Sequence, residues 1–582
     1  MGDEEASDEE ASGGGTIDER SEFERAAEIS LQELAHGTTV ATNALLERKG
    51  ARVALICNDG FADIIEIARQ DRPSLYDPFV DRPEPLVRRE DRFEVVGRLN
   101  ADGEEIEALQ AETLAQLPDG VEAISVCLLH SDLNPSHEII VRDELLNRDP
   151  NATASILDIT CSHEIAPEFR EYERASTTVI NSYLRPRCRS YLRGLRNVAD
   201  AVFVMTSAGG LLPADEAAVA PAKLLLSGPA GGVRAGAHYG VVNGYRDVVT
   251  FDMGGTSTDV CLVLDGQPAP AAEREVDGYP VRVMSLDVLT IGAGGGSIAK
   301  LDFGGALVVG PESAGAKPGP ACYGLGGTAA TVTDANLLCG RIPAGATMGN
   351  LGALDVGLAA QACEQAGIDP QGVLSVVNAN MEQALRAVTT RRGIDPRNLA
   401  LVAFGGAGPL HACELAELLG MTTVIVPPRA GALSAVGILG APRQVDLVRS
   451  WGDLLDHKGA VAEGEKLRVK ALAQLPEATD VTVTFDCRYE GQSHELSVAL
   501  PEDFHTEHEQ QNGYRRQDAP VEITAIRCVA RAERNVVLPD LEREEAVGPA
   551  VVSEPDTTIW IPEGWAGKQG AEGSLVIQRE VI

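Results

Sequence analysis

The sequence predicts an α/β protein, and three observations support this class. Strand-like apolar runs at 53–57 and 121–129 alternate with a helical pattern at 63–69. Glycine accounts for 60 of the 582 residues and is concentrated at turns in the middle of the chain. Strictly alternating patterns at 481–485 and 521–526 then predict strands near the C-terminus. Alternation of strands with helices, followed by a run of strands, is typical of an α/β core with a β-rich C-terminal domain.

Two further helices are expected in the N-terminal part of the chain. The pair Asn134-Pro135 predicts the start of one, because proline suits the first position of a helix. Another helical pattern runs from 168 to 195 and contains Pro186. Since proline removes a backbone hydrogen bond, we expect Pro186 to kink or end that helix.

Composition divides the chain into four parts. Residues 1–20 are rich in acidic residues and glycine and cannot bury apolar surface, so they are predicted to form a disordered acidic tail. The rest is predicted to comprise an N-terminal α/β region at 21–200, a core domain at 201–445 and a C-terminal β-rich domain at 446–582.

The chain is strongly acidic. It has 87 Asp and Glu against 49 Lys and Arg, a formal net charge of −38, and only eight lysines. High salt screens the self-repulsion of such a chain, which favours a halophilic protein in a salt-rich cytoplasm, with an ordinary acidic enzyme as the alternative. No basic face is available to neutralise phosphates, so nucleic acid is not expected as a partner.

The cysteines and the apolar stretches point to an intracellular, cytoplasmic protein. The eleven cysteines are scattered singly without a Cys-x-x-Cys pair, which argues against a zinc ribbon and favours a reducing compartment. The start of the chain is acidic, unlike a signal peptide. The longest nearly apolar stretch, 423–442, contains Arg429 and several Gly and Pro, so no membrane association is expected.

The strongest local signal for chemistry is a strand, glycine turn and strand at 248–263. Two adjacent glycines allow successive N–H groups to surround an anion, three hydroxyls add donors, and two flanking aspartates suit Mg²⁺ and its water shell. The pattern predicts a phosphate-binding hairpin, with a plain β-hairpin as the alternative. The residues concerned are Asp252, Gly254, Gly255, Thr256, Ser257, Thr258 and Asp259.

Three other glycine loops are weaker signals. The segment 290–298 fails the dinucleotide-binding pattern at Ser297, and no loop has the Walker pattern. The loop 404–411 follows a strand and opens a helix, so its N–H groups are predicted to border a nucleoside, with ordinary helix capping as the alternative. The loop 227–232 has the same two interpretations. The glycines of the 404–411 loop are Gly405, Gly406 and Gly408.

Three histidine-containing segments were also candidates for function. His36 lies in the hydroxyl-rich turn 35–43 and is a candidate for proton transfer or substrate contact, with capping as the alternative. The segment 162–174 carries His163 and several charges at helical spacing, which favours a solvated ion-pair face. Two histidines in 504–508 lack further ligands, so a surface position is preferred to a metal site.

Long literal motifs occur at 318–324 (Pro-Gly-Pro-Ala-Cys-Tyr-Gly) and 333–336 (Thr-Asp-Ala-Asn). With the loops above, in the same order, they resemble the hydantoinase A / 5-oxoprolinase family over nearly the whole chain after the tail. The resemblance implies an actin/hexokinase/Hsp70-like (ribonuclease H-like) ATPase core. The other matching segments are 36–46, 162–184, 227–232, 251–260, 290–315 and 403–412.

The resemblance also implies an activity, the ATP-dependent opening of a cyclic amide such as 5-oxoproline or an N-substituted hydantoin. Phosphoryl transfer to the lactam oxygen would make it a leaving group, after which water attacks the carbon. The implied cofactors are ATP and Mg²⁺, and the implied partner in an oligomer is a hydantoinase B-type subunit. By position, the catalytic residues would be Asp252, Asp259 and His36, the metal ligands Asp252 and Asp259, the phosphate-binding residues Gly254, Gly255, Thr256 and Ser257, and the nucleoside-binding residues Gly405, Gly406 and Gly408.

The sequence departs from the family at its start. Members carry a first phosphate hairpin, an Asp-x-Gly-Gly-Thr-like turn, that residues 21–34 do not contain. The N-terminal region is therefore expected to be truncated, either because the gene model is incomplete or because the subunit is degenerate. The segment 454–473 also looks shorter than in the family. Two other functions stay open, namely an acetone or acetophenone carboxylase-type subunit that uses ATP, and a non-catalytic scaffolding subunit.

Overall fold

The computed structural model describes residues 31–148, 158–347 and 352–580, apart from 75, 78, 535, 537 and 540, so the predicted tail lies outside the described residues. The helices are α1 (Val40–Leu46), α2 (Ile64–Ile67), α3 (Ser136–Arg148), α4 (Ser162–Ile165), α5 (Glu171–Leu195), α6 (Ala214–Val219), α7 (Gly228–Val242), α8 (Val332–Leu338), α9 (Val356–Ala366), α10 (Pro370–Thr389), α11 (Gly408–Leu419), α12 (Leu433–Gly440), α13 (His457–Gln474) and α14 (Phe504–Asn512).

The strands fall into three large sheets and several short pairs. In chain order they are β1 (Leu31–His36), β2 (Val53–Asn58), β3 (Arg92–Leu99), β4 (Glu105–Gln110), β5 (Ala123–Val126), β6 (Asp158–Cys161), β7 (Ala199–Met205), β8 (Leu211–Pro213), β9 (Val248–Met253), β10 (Thr258–Leu264), β11 (Gln267–Pro268), β12 (Pro270–Ala271), β13 (Arg274–Val276), β14 (Tyr279–Val281), β15 (Ser285–Leu286), β16 (Val288–Ile291), β17 (Ser297–Leu301), β18 (Leu307–Ser313), β19 (Ala400–Phe404), β20 (Thr423–Val426), β21 (Arg443–Ser450), β22 (Asp480–Tyr489), β23 (Leu496–Val498), β24 (Val521–Ala532), β25 (Ala546–Val547), β26 (Ala550–Ser553), β27 (Thr558–Ile561), β28 (Trp565–Gln569) and β29 (Leu575–Arg579).

The first sheet has the order β1-β7-β8-β21-β24-β22-β23, and the second has the order β11-β10-β9-β19-β20-β29-β28-β25 with β16 also pairing with β10. The third sheet, β4-β3-β2-β5-β6, belongs to the N-terminal region. The strands of the predicted β-rich C-terminal domain are divided between the first two sheets, because β22 to β24 join the first and β25, β28 and β29 join the second. The first and second sheets therefore each combine segments that are far apart in the chain, whereas the third is built from one continuous region.

The second sheet holds the predicted phosphate hairpin. Strands β9 and β10 pair antiparallel with Asp252 opposite Asp259. Strand β19 runs parallel to β9 and places Phe404 beside Asp252. Helices α10 and α11 pack on this sheet around a core that includes Phe251 and Phe404. The turn after β9 and the loop after β19 are consequently neighbours, since both follow the carboxyl ends of adjacent parallel strands.

Two N-terminal expectations are corrected by the structure. Helix α5 runs from Glu171 to Leu195 with Pro186 inside it, so the helix does not end at this proline. The predicted solvated ion-pair face is also wrong, because Glu168 and Arg174 are buried at 1% and 2% exposure. Helical spacing carried no information about what covers these charges, and Glu168 lies before α5 begins at Glu171. The predicted helix after Asn134-Pro135 is confirmed as α3.

The other sequence features agree with a folded protein in which thiols are reduced. All eleven cysteines are free, and all except the half-buried Cys339 are buried. Among the described residues, no helix combines the length and the apolar character that a membrane span requires.

Candidate active site

The predicted strand, turn and strand at 248–263 is confirmed as the β9–β10 hairpin. The turn is closed by the Gly254 N–H, which donates to the Ser257 carbonyl oxygen at 3.0 Å. The tip itself is open, since Gly255 and Thr256 are exposed while the strands on either side are buried. This arrangement leaves the tip's N–H groups and hydroxyls accessible to a ligand, on a rigid base.

The Thr258 hydroxyl is already hydrogen-bonded within the protein. We expected it to be a ligand donor, but it donates instead to the Ala293 carbonyl oxygen at 2.5 Å and is buried. The hydroxyls left for a ligand at this turn are those of Thr256 and Ser257.

Asp252 and Asp259 form a pair of half-buried carboxylates at the base of the hairpin. Burial, and then the negative charge of Asp259, raise the pKa of Asp252 to about 7. The Ser434 hydroxyl, which donates to Oδ2 of Asp252 at 3.4 Å, opposes that shift. Burial also raises the pKa of Asp259, against the effects of the Thr290 hydroxyl and Arg274. Two acids placed together in this way favour either a shared proton or a cation.

The segment 290–298, which failed the dinucleotide pattern, supports the hairpin from one side. The Gly295 N–H donates to the Gly254 carbonyl oxygen at 3.0 Å, and the Gly296 N–H donates to that of Gly255 at 2.7 Å. A β-carbon at Gly294 would lie 2.6 Å from the carbonyl carbon of Gly255. Such close backbone contact requires glycine and fixes the position of the turn.

The loop after β19 contacts the hairpin from the other side. Gly405 has a φ of +81°, and a β-carbon there would lie 2.5 Å from Oδ1 of Asp252. The Ala407 N–H donates to the Met253 carbonyl oxygen at 3.0 Å. Gly408 begins α11, whereas nothing lies within 4 Å of a β-carbon placed on Gly406. The loop thus presents open backbone at Gly406 beside the carboxylate pair, at the start of a helix.

The fourth glycine loop, 227–232, reaches the same place through α12. A β-carbon at Gly232 would lie 2.8 Å from the Ser434 hydroxyl, which itself contacts Asp252. The structure therefore brings all four glycine loops together. Ser434 and Thr290 were missed by sequence reasoning, because a single hydroxyl in a distant segment gives no local signal of its contact.

His36 does not join this group. It ends β1 in the first sheet, where its Nε2 lies 2.7 Å from the Tyr191 hydroxyl, and burial lowers its pKa. Among the described residues, the hydrogen bond of its side chain is to Tyr191 and not to the hairpin. A catalytic role for His36 stays a prediction.

The carboxylate pair fits Mg²⁺ by its chemistry. Within the described residues, neither Asp252 nor Asp259 has an ion pair with a lysine, arginine or histidine, so two half-buried acids lack a direct counter-charge. Mg²⁺ binds through one or two carboxylates and keeps several waters. The open tip beside the pair suits such a hydrated ion better than a fully enclosed cage.

Comparison with known proteins identifies the family. The hydantoinase/oxoprolinase sequence model matches residues 174–445, and the model of the hydantoinase/oxoprolinase N-terminal region matches 9–148. The caprolactamase subunit alpha of Pseudomonas jessenii is 33% identical over 91% of this chain and 88% of its own length. The chain belongs to the hydantoinase/oxoprolinase family. An uncharacterised family relative from Methanocaldococcus jannaschii is 36% identical over 94% of this chain and 91% of its own length.

The fold of the hydantoinase/oxoprolinase family is also found in a solved structure. The crystal structure of the ATP-dependent caprolactamase from Pseudomonas jessenii matches 96% of this chain and 92% of its own with a TM-score of 0.84 at 29% identity. The expected fold is thereby confirmed as the actin-like ATPase fold of this family, with mixed α/β structure.

Proposed function

We propose that this protein is a subunit of an ATP-dependent amidohydrolase that opens a cyclic amide, such as a lactam or a hydantoin. The observation that carries the proposal is the pair of half-buried carboxylates at a glycine turn that two other glycine loops hold in place. The similarity to a caprolactamase subunit over nine-tenths of the chain supports the class of substrate.

The chemistry follows from the stability of the amide bond. The amide oxygen attacks the γ-phosphorus of ATP and ADP leaves; water then attacks the ring carbon, and the C–N bond breaks as the nitrogen takes a proton, which leaves an acyl phosphate. A second water hydrolyses the acyl phosphate to phosphate and the ring-opened acid. Enzymes that transfer phosphoryl groups act mainly by positioning and by stabilising charge.

Different residues of this site would bind the phosphate, the nucleoside and the metal ion. Gly254, Gly255, Thr256 and Ser257 would hold phosphate oxygens, and Gly405, Gly406 and Gly408 would border the nucleoside. Asp252 and Asp259 would hold Mg²⁺, which neutralises phosphate charge when bound. Asp252, while unprotonated, would also fix the water shell on its side of the hairpin.

The proposal includes the setting in which the protein works. The P. jessenii relative is named as an alpha subunit, so we propose a hydantoinase B-type partner in an oligomer. ATP use and eleven free cysteines fit the cytoplasm. A net charge of −38 fits a salt-rich cytoplasm.

The test is phosphate release from Mg-ATP in molar KCl, with the partner subunit and a panel of 5-oxoproline, hydantoins and caprolactam. We expect release that depends on one ring and falls roughly 10²- to 10³-fold in Asp259→Asn, the loss typical of one electrostatic group. Asp265→Asn is the matched control, because Asp265 lies just beyond the same hairpin with a side chain 84% exposed.

Other outcomes would contradict the proposal. Release that requires bicarbonate and a ketone would favour the carboxylase-type function. Failure of the folded complex to bind Mg-ATP would favour a scaffold. Full activity of Asp259→Asn would disprove the assignment of the hairpin.

A further inference from the structure

A second ligand-sized space lies away from the hairpin. It has a volume of about 750 Å³ and lies where residues 131–168 meet the β7–β8 turn, β21, α13 and β24. We call it the junction cavity. Its size is that of a small-molecule site. None of the residues predicted from sequence to bind nucleotide lines it.

A buried carboxylate–histidine pair borders the junction cavity. Nδ1 of His163 lies 2.7 Å from Oε2 of Glu138, and the backbone N–H of His163 donates to the same oxygen at 3.1 Å. The other oxygen of Glu138 accepts from the Ser162 hydroxyl at 2.6 Å and the Leu128 N–H at 2.9 Å. Burial alone would raise the pKa of Glu138, but the hydrogen bonds from His163 and Ser162 lower it overall.

The orientation of this pair determines which atom of His163 is available. Because Nδ1 is held by the Glu138 carboxylate, Nε2 is the ring nitrogen that has no hydrogen bond among the described residues. His163 lines the cavity with a side chain 15% exposed, and its Nε2 is 4.0 Å from a carboxylate oxygen of Glu164. The Cys161 thiol is also near, but it donates to the Glu138 carbonyl oxygen and burial raises its pKa, so it offers no thiolate.

The junction cavity is lined by six lysine and arginine residues and five acidic residues, in a chain with far more acid than base. Three of the eight lysines line it, namely Lys223, Lys466 and Lys470. Lys466 pairs with Glu463 at 2.8 Å, whereas Lys223 and Lys470 have no ion pair within the described residues. Since the net charge of −38 repels anions, these two lysines without an ion pair favour binding of an anion here.

Arg282 adds a buried donor to the same cavity. The residue is 4% exposed and lines the cavity, and its Nε donates to Glu168 at 3.2 Å. Its Nη1 is buried without a hydrogen-bond partner and lies 3.8 Å from a carboxylate oxygen of Glu273. This nitrogen has an ion-pair contact with Glu273 but no hydrogen bond, and a bound oxyanion that reached it would supply the missing acceptor.

The chain connects this cavity to the hairpin over a short distance. Met284 lines the cavity, and Thr290, six residues later, donates to Asp259. Six residues span at most about 20 Å, so the two places lie within the length of a nucleotide with a bound substrate.

We propose that the junction cavity binds a small molecule bearing a carboxylate or phosphate group through Lys223 and Arg282, and that Nε2 of His163 exchanges a proton with that molecule or with water beside it. In the forward direction Nε2 takes the proton while the Nδ1–H remains hydrogen-bonded to Glu138. The imidazolium then returns the proton to the leaving nitrogen or to solvent. Glu138 is a positioning residue in this scheme.

Binding to the cavity is tested without any turnover, by equilibrium dialysis of radiolabelled inorganic phosphate against the full chain. We expect Lys223→Met to weaken binding roughly tenfold, as loss of one charged contact does. Lys458→Met is the matched control, because Lys458 lies on α13 but does not line the cavity. Phosphate held at the hairpin would not respond to Lys223→Met, so equal binding by wild type and this variant overturns the proposal.

Competition with acetate distinguishes the two oxyanions. Displacement of phosphate by acetate identifies a carboxylate site. Binding of phosphate that depends on Lys223 and resists acetate identifies a phosphate site. If neither anion binds in a way that depends on Lys223, the cavity is not an anion site.

The proton step rests on the proposed function, since its readout is lactam-dependent ATP turnover. We expect His163→Ala to lose at least tenfold in kcat and imidazole in the buffer to restore part of it. His137→Ala is the control, because His137 is another buried histidine paired with a glutamate, Glu105 at 2.8 Å, but lies outside the cavity lining. Unchanged turnover, a loss in folded His163→Ala that imidazole leaves unaltered, or a loss that is absent in His163→Gln, whose amide cannot exchange a proton, refutes the proton role. If the wild type shows no turnover, the proposed function fails while phosphate binding still decides the site.

Discussion

Asp252 is held among groups that favour its neutral form. Its side chain is half-buried, its nearest ionisable partner is the acidic Asp259, and one hydroxyl at 3.4 Å offers the carboxylate a hydrogen bond. With its pKa raised to about 7, the folded protein binds a proton that the unfolded chain has lost above about pH 4. The contribution of Asp252 to stability therefore falls as pH rises from about 4 to about 7.

We predict that Asp252→Asn stabilises the protein in the absence of divalent ions at pH 8, by roughly 2–4 kcal/mol, because it removes the cost of a buried charge. The gain should shrink as pH falls towards about 4, and Mg²⁺ should stabilise wild type but not the variant. Thermal unfolding across this pH range, with and without Mg²⁺, measures both effects.

The control for this experiment is Asp265→Asn, whose exposed side chain pairs with Arg246. We expect no rise in its unfolding temperature at pH 8. An Asp252→Asn protein that is no more stable than wild type at pH 8 without Mg²⁺ would show that the carboxylate is not strained in the folded state.

The residues of the hairpin were predictable from sequence, and their supporting residues were not. Gly254, Gly255 and the two aspartates form one continuous motif whose spacing specifies a turn with acids at its base. Ser434 lies 182 residues from Asp252, and only tertiary packing brings them together. Thr258 shows the opposite error, because its hydroxyl looked free in sequence yet is bound to the Ala293 carbonyl.

Helices α7 and α12 pack closely against each other and support the site. A β-carbon at Gly437 of α12 would overlap the carbonyl oxygen of Gly231 in α7. The same helix α12 carries Ser434, which contacts Asp252. The separation of these two helices therefore sets where the Ser434 hydroxyl lies.

We predict that Gly437→Ala lowers stability by roughly 1–3 kcal/mol or more, since the helices must separate to admit the methyl group. Gly440→Ala is a matched control in the same helix, because no atom lies within 4 Å of its added carbon. Thermal unfolding of both variants is the measurement. Equal stability of the two would mean that the helix contact is looser than described.

Elements were predicted best where the pattern is local. The β9–β10 hairpin and the β19–α11 unit were found because each is a short continuous segment with glycine at its turn. Helix α5 was expected to kink or end at Pro186 but does not end there, since buried contacts along its length outweigh one lost hydrogen bond. The burial of Glu168 could not be read from spacing, because its partners Arg282 and Arg527 lie in distant segments.

At the scale of the whole molecule, the dominant feature is the large negative net charge. A formal net charge of −38 on 582 residues makes the folded state repel itself, and mobile ions screen that repulsion. The Debye length falls from about 10 Å at 0.1 M salt to about 3 Å at 1 M. Most surface repulsion is therefore removed within this range.

We predict that the unfolding temperature rises as KCl increases from about 0.1 to about 1 M, because screening favours the compact state. The rise should be smaller at about pH 5, where some carboxylates are already protonated. Calorimetry at the two pH values measures it. An unfolding temperature that is flat or falling in KCl at pH 8 would show that self-repulsion does not limit stability.

The strands of the second sheet are synthesised at widely separated times. Strand β20 pairs with β29, and β29 with β28, so a sheet whose hairpin is made at Val248–Met253 is finished by Leu575–Arg579, more than 300 residues later. At roughly 5–20 residues per second, a ribosome needs on the order of half a minute to supply that last strand. From the synthesis of β20 until that of β29, the unpaired edge of β20 is a site for wrong partners. The hairpin is therefore made well before the sheet that holds it is complete.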